Sequence, residues 1–358
     1  MLKVIGYEEC FDAISVENNV DLLDRAAVMS RLPSKISGVG GGEEGRLSST
    51  LPSAQFSAFA DDSLLFGHMG FIPSLGMCVK TGMQVPGNSA CGLDTVQAAV
   101  LLFDENTGVP QALIDGRAIT VMRTAGALIA GVREVLDYSK VTNTRGGAVQ
   151  PPRVAVVGYG AQGRYIARLA REVLHADTIK AFNRSTETPE EGVEMVSTIA
   201  EAVADADVIA CATSSAEPVL FLADVRKGQI LRGREDVVIA SLNSHEPDKA
   251  EIDPQIIGAS ASVHLDVDDP MKFGPIAQWK SGQTQPSHET AHANFQRKIL
   301  GERSEEVDEA HDYFGQRGIR TLFIGGHGLQ DSLLAWSVLL GWSAVETTTG
   351  RYTDAEGR

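Results

Sequence analysis

The chain has 358 residues, 43% of them hydrophobic and 22% charged, and a formal net charge of −16. That length and composition suit a soluble globular protein of two domains, while so acidic a balance excludes nucleic acid and anionic membranes as partners. No apolar run reaches membrane-span length, the opening residues lack a signal peptide's apolar region, and Cys10, Cys78, Cys91 and Cys211 are spaced for neither a zinc knuckle nor a disulfide framework. A cytoplasmic location without a bound metal is expected.

In chain order, residues 38–53 are rich in Gly, Ser and charge and predict a loop. Gly76 to Lys80 and Thr95 to Phe103 read as strands, and the turn composition of Asp104 to Pro110 predicts a hairpin returning through Gln111 to Ile114. Thr120 has the chemistry of a helix N-cap, and Ala125, Leu128, Ile129, Val132 and Leu136 recur behind it at helical spacing. Lys140 to Pro152 is a linker by composition. Beyond it, strands at Val154 to Val157, Thr178 to Phe182, Val208 to Thr213, Val237 to Leu242, Val263 to Val267 and Thr321 to Ile324 alternate with helices. Near-continuous apolar strands in that arrangement predict an α/β fold, a Rossmann-type doubly wound parallel sheet over about 148–323. Residues 270–318 are polar. A last apolar helix, Leu333 to Ala344, has too little polar surface to stand alone. Packed back on the first domain, it makes a smaller α+β domain from 1–140 and 325–358.

The strand at Val154 runs into G-x-G-x-x-G at Gly158, Gly160 and Gly163, with Ala161 and Gln162 between the last two glycines, and a helix follows to about Leu174. That context is a dinucleotide site: the glycines allow the tight turn, the approach of a pyrophosphate and close helix-on-strand packing, and the helix aims its unpaired N–H groups at the phosphates. At the end of the second strand, where an NAD enzyme places a carboxylate against the ribose 2′-hydroxyl, this chain has Asn183, Arg184, Ser185 and Thr186. Hydrogen-bond donors and a guanidinium there favour NADP(H) over NAD(H), which stays the other candidate. His288-Glu289-Thr290-Ala291-His292 matches the zinc-protease pattern H-E-x-x-H, yet it lies in a polar stretch of a dinucleotide-fold chain with no third ligand in a downstream metzincin pattern. A helical face exposing two histidines is the better account.

Several segments succeed one another in a fixed order: Val79-Lys80 and Val85-Pro86-Gly87-Asn88, then Gly92-Leu93-Asp94-Thr95-Val96, then Asp104 to Pro110, Asp115-Gly116 and Ile119-Thr120 with Arg123-Thr124-Ala125. With the glycine loop and Ala212-Thr213-Ser214-Ser215 before Pro218-Val219, the succession resembles the ornithine cyclodeaminase/mu-crystallin family from about Gly76 to Val338. The resemblance implies that two Arg and a Lys hold a substrate carboxylate beside the nicotinamide. Lys80 and Arg123 sit on the matching motifs, Thr95 on a threonine of the same site, and Arg46, the single Arg between Arg31 and Lys80, stands for the first Arg. It also implies that Thr213, Ser214, Ser215 and Gly326 lie along the cofactor and that the first domain pairs into a homodimer.

The chain departs from the family at one telling place. Where cyclodeaminases carry Gly-x-Asp-x-Pro-Gly-Lys-x-Glu, this sequence reads Asn243 to Glu251 with His245 at the Asp position. An imidazole titrates near neutrality and donates a proton to an imine nitrogen, which favours reduction of a small carboxylated imine, or oxidation of the amino acid, over cyclodeamination. Lys80 and His245 are the candidate proton carriers, with Glu246 or Asp266 in reserve. The other functions the pattern allows are a cyclodeaminase-type lyase with tightly held NAD+ and a non-catalytic, crystallin-like cofactor-binding protein. Asp331, in Gly325-Gly326-His327-Gly328-Leu329-Gln330-Asp331, reads either as part of the family's glycine-and-acid motif or as the cap of the last helix.

Overall fold

The computed structural model describes residues 2–29, 53–60, 63–142, 151–185, 188–242, 244, 246–266, 270–282 and 318–353. They form two compact units, Met1–Arg123 with His327–Arg358, and Thr124–Gly326. The division falls at Arg123, inside the long helix Gly116–Thr142, whereas the sequence boundaries stand at 140 and 148. No described helix is long and apolar enough to cross a membrane.

The first unit is a six-stranded sheet in the order β1-β6-β5-β4-β3-β2. Its strands are β1 (Lys3–Ile5), β2 (Ser53–Ala60), β3 (Ser63–Ile72), β4 (Gly76–Gln84), β5 (Val96–Asp104) and β6 (Pro110–Asp115). β1 pairs parallel to β6 and the other neighbours are antiparallel. The predicted hairpin is present, its turn held by Asp104 Oδ1, which accepts from Thr107 N at 2.9 Å and Thr107 Oγ1 at 2.7 Å. β1, β2 and β3 went unread in the sequence.

Burial along β4 alternates, with Cys78 and Lys80 turned inward and Met77, Thr81 and Met83 outward. His68 of β3 pairs with Lys80 in register, so the two side chains share the inner face. Helices α1 (Tyr7–Ala13), α2 (Val16–Met29) and α3 (Gly116–Thr142) come from the N-terminal part of the chain. Thr120 does not cap α3 as its composition suggests. The helix starts one turn earlier, where the Asp115 carboxylate accepts from Arg117 N at 2.8 Å, and the Thr120 hydroxyl donates back to the Gly116 carbonyl at 2.7 Å. α3 also runs on to Thr142, into the segment whose composition predicts a linker.

The second unit carries β7 (Arg153–Val157), β8 (Thr178–Phe182), β9 (Val193–Met195), β10 (Val208–Cys211), β11 (Val237–Ser241), β12 (Ser260–Leu265) and β13 (Ile319–Phe323). All neighbours are parallel, in the order β12-β13-β11-β10-β7-β8-β9. β7, β10 and β11 are buried on both faces, which is why they read as unbroken runs of Val, Ile and Ala. The order reverses between β7 and β10, and beyond their carboxyl ends lies the ligand crevice of such sheets. Helix α4 (Ala161–Glu172) leaves β7 through the glycine loop; α5 (Ile199–Val203), α6 (Leu222–Arg232), α7 (Gln255–Ala259) and α8 (Gly274–Ser281) follow in this unit, which also takes α3 from Thr124 onward.

The chain then returns to the first unit as α9 (Gly328–Leu340) and α10 (Trp342–Thr353). The single predicted helix is two, broken at Gly341, whose φ of 88° suits glycine. α9 lies against β3 and β4 at van der Waals range. A Cβ on Gly70 would meet the Gly328 carbonyl oxygen at 2.7 Å, so two glycines set the separation of helix and strand next to His68.

Candidate active site

α9 brings Asp331 onto the inner face of the first unit's sheet. Its Oδ1 lies 2.5 Å from Lys80 Nζ, its Oδ2 2.7 Å from His68 Nδ1, and Arg123 Nε stands 3.7 Å from Oδ1. Lys80 and Asp331 have side chains 0% and 1% exposed, while His68 at 13% and Arg123 at 11% keep some contact with solvent. Burial alone would raise the Asp331 carboxyl, but Lys80, the His68 hydrogen bond and Arg123 hold it far below the usual carboxylate range. Burial lowers Lys80 to about 8 against the pull of Asp331, and Arg123 adds to the lowering. Burial likewise lowers His68 despite its bond to Asp331. With His68 neutral, two cations face one carboxylate, leaving one net positive charge in a nearly dry site.

Arg123 gives that charge a direction. At 3.7 Å its Nε is beyond hydrogen-bond range of Asp331, and among the described residues this buried donor has no hydrogen-bond partner. A buried orphan donor of a guanidinium is costly, and an incoming carboxylate is the ligand that satisfies it bidentately. The structure therefore brings together Lys80 and Arg123, as their motifs suggest, and adds His68 and Asp331. It does not bring Thr95 to them: Val100 is the β5 residue opposite Lys80, and Thr95, half-buried ahead of β5, accepts from Val85 N through its carbonyl at 2.7 Å. Arg46 lies outside the described residues, as do Thr186, His245 and the H-E-x-x-H segment at His288.

In the second unit the glycine loop has the shape a pyrophosphate needs. Gly158 has φ of 96° and a Cβ there would meet the Ala212 carbonyl oxygen at 2.6 Å, while a Cβ on Gly163 would overlap the Gly158 carbonyl. By contrast, a Cβ on Gly160, the N-cap of α4, would point into open space, which is room for a phosphate against the N–H groups of the first turn, where Ala161 and Gln162 stand. Asn183 ties this loop down rather than only facing outward: its Oδ1 accepts from Tyr159 N at 3.0 Å and its Nδ2 donates to Ser185 Oγ at 2.9 Å. Arg184 and Ser185 are exposed just past β8.

The loop after β10 is anchored by a residue for which the sequence predicts no role. Glu251, fully buried, accepts from Thr213 N and Thr213 Oγ1, each at 2.9 Å, through Oε2, and from Ser241 Oγ at 2.7 Å and Leu242 N at 3.0 Å through Oε1. Ser215 N in turn donates to Thr213 Oγ1 at 3.3 Å, and Ser214 is exposed. Of the reserve carboxylates, Glu246 takes Lys249 Nζ at 2.7 Å, and Asp266 accepts from Gly325 N at 2.5 Å and Gly326 N at 3.0 Å. Asp331 is no helix cap; His327 holds that position, and the acid is turned to Lys80. An Asp in the first turn of the most apolar helix was the available signal, since such an acid is buried only when paired. His68 gave none, because strand register alone puts it beside Lys80.

The profile of one protein family matches residues 67–303, well over half of the chain. The protein belongs to the ornithine cyclodeaminase/mu-crystallin family. The family match takes in His68, Lys80, Arg123 and the glycine loop and stops short of Asp331. Among curated members, the chain is 27% identical over 193 residues to a Delta(1)-pyrroline-2-carboxylate reductase of Paracoccus denitrificans, covering 50% of this chain and 58% of that protein. It is 28% identical over 295 residues to the iminosuccinate reductase of the same organism, covering 79% and 82%. The matched region thus spans less than two thirds of the first of these relatives. Thermococcus litoralis Delta(1)-pyrroline-2-carboxylate reductase, solved in complex with NADH and L-proline, has the same fold, with a TM-score of 0.69 at 19% identity over 95% of this chain and 98% of that one. Members of the ornithine cyclodeaminase/mu-crystallin family similar to this chain therefore include nicotinamide-dependent reductases of C=N bonds.

Proposed function

We propose that this protein is an NADP(H)-dependent reductase of small carboxylated imines, running in reverse as an amino-acid dehydrogenase. The observation that carries the reading is the buried Lys80–Asp331–Arg123 group, whose single net positive charge and unmet Arg123 Nε call for one carboxylate. The pyrroline and iminosuccinate reductases similar to this chain act, by name, on substrates of that class. A bound nicotinamide would supply the hydride, held by the glycine loop, by Thr213 to Ser215 and by Gly326. The chain's own part is to hold the carboxylate with Arg123 and Lys80 and to pass a proton to the substrate nitrogen. Lys80, held at about 8, releases a proton more readily than a free lysine. His245 remains the second candidate for that proton, and Arg46 and Thr95 for further carboxylate and substrate contacts. Four free thiols support a reducing, cytoplasmic setting.

Exposed Arg184 and the absence of an acidic side chain at Asn183, Arg184 and Ser185 support NADP(H). The expected result is oxidation of NADPH with cyclic imine carboxylates or with 2-oxo acids plus amine, and tighter binding of NADPH than NADH by fluorescence titration. Arg184→Ala should weaken NADPH roughly tenfold or more and leave NADH unchanged, the loss of one charged hydrogen bond. Equal affinities in the wild type would refute the preference, and no net NADPH turnover with any such substrate would refute the reductase.

Pairing of two copies is proposed as well. The sheet face opposite α9 exposes Met69, Met77 and Met83, which alternate with the buried residues of β3 and β4. A second copy of the same face would bury them symmetrically. Light scattering should give twice the chain mass at micromolar concentration, and replacing Met77 and Met83 by glutamate should halve it. A monomeric wild type would end the proposal.

A further inference from the structure

The buried group contains one side chain for which carboxylate anchoring has no use. His68 takes Asp331 Oδ2 at 2.7 Å, while Oδ1 takes Lys80. The plane of the carboxylate is thus fixed at both ends. Because an ionised carboxylate only accepts, the shared hydrogen sits on His68 Nδ1. Among the described residues the charged groups acting on the imidazole are Asp331 from α9, Lys80 from β4 and Arg123 from α3, and Phe66 of its own strand lies 6.1 Å away, ring to ring. Among the described residues, burial and the two cations oppose protonation of His68, and Asp331 alone favours it.

Resting on the reductase reading above, in which Lys80 serves the substrate, we propose that His68 is a positioning residue: as a neutral Nδ1–H donor it holds the Asp331 carboxylate turned toward Lys80, and when protonated it draws that carboxylate away. The division of labour follows from the charges. Neutral His68 leaves Asp331 to balance Lys80. Protonated His68 adds a third cation beside one anion, loosens the Lys80–Asp331 pair and upsets the carboxylate site. Activity should accordingly fall on the acid side as His68 gains its proton, and on the alkaline side as Lys80 loses its own.

Two substitutions separate positioning from plain packing. His68→Asn puts an amide N–H near the place of Nδ1 and cannot titrate; His68→Leu removes the donor. The expected result is that His68→Asn keeps kcat near wild type around pH 8 and loses the acid limb of the pH profile. His68→Leu should lower kcat roughly tenfold or more with cofactor affinity unchanged. A readout that needs no turnover is the titration of Lys80 followed by NMR of lysine labelled with carbon-13 at Cε. In His68→Leu nothing holds the Asp331 carboxylate toward Lys80 and the Lys80 midpoint should fall below the wild-type value, whereas in His68→Asn it should stay. Identical Lys80 midpoints in all three proteins, or an acid limb that persists in His68→Asn, would overturn the proposal. If no imine is reduced at all, the reductase reading fails while the Lys80 titration still decides the role of His68.

Discussion

Asp331→Ala should destabilise the fold by about 3–5 kcal/mol at neutral pH, the cost of leaving a buried ion without its partner. Lys80 is wholly buried, and among the charged groups acting on it Asp331 opposes burial while Arg123 reinforces it. Without the carboxylate, Lys80 and Arg123 face each other as like charges, and the His68 Nδ1–H donor loses its acceptor. The pH dependence gives a second signature. Asp331 lies below its unfolded value, so its contribution is present above about pH 4 and is lost as the pH falls toward the folded value. Lys80 also lies below its unfolded value of about 10.4, so over the window from about 8 to that value the unfolded chain holds a proton the folded one has released, and stability rises with pH. In Asp331→Ala the Lys80 window extends further down, and the variant should recover part of its deficit as the pH is raised. Urea unfolding across pH reads both effects. A variant with the wild-type midpoint at pH 7 would show that Asp331 does not balance Lys80.

Arg123→Ala should cut kcat/KM by about 2–5 kcal/mol, some thirtyfold to several thousandfold, because it removes a charge-assisted pair from a nearly dry site. The side chain is 11% exposed and its Nε has no hydrogen-bond partner among the described residues, so a substrate carboxylate completes a donor that is already in place. Cofactor affinity should hardly change. Arg123→Lys should recover only part of the loss, since an ammonium cannot reproduce the planar fork. The control is chemical: a substrate analogue lacking the carboxylate should react poorly with wild type and be indifferent to the substitution. If that analogue reacted with wild type as well as the acid does, Arg123 would have another task.

What could be read in advance follows from how local the determining interactions are. The glycine loop and the parallel strands were legible because each is specified within a few residues: Gly158 and Gly163 must be glycine for steric reasons next to them, and β7, β10 and β11 are apolar but for Arg153 and Ser241 at their ends because both faces are covered. Lys80 and Arg123 were legible through their motifs. β3 was not, since Gly67 and Gly70 dilute its strand pattern, and Gly70 is there for α9 rather than for the strand. Thr120 has the chemistry of a cap, while Asp115, one turn earlier, caps the helix start. His68 and Asp331 were beyond reach for one reason: the first depends on register between strands, and the second on the return of the chain from the other unit.

That return has a consequence for how the molecule is made. Lys80 and Asp331 are 251 residues apart. At about 5–20 residues per second, a ribosome needs on the order of 10–50 s to travel from one to the other. During that interval the whole of Thr124–Gly326 emerges and is free to fold, while the sheet begun before it waits for the helix that covers its inner face. Newly made chains should therefore pass through a stage in which the dinucleotide unit is protease-resistant and the strands around Lys80 are still cleavable. The waiting surface includes a lysine with no counter-ion, and that charge keeps the half-built sheet from being uniformly apolar and adhesive until its partner arrives.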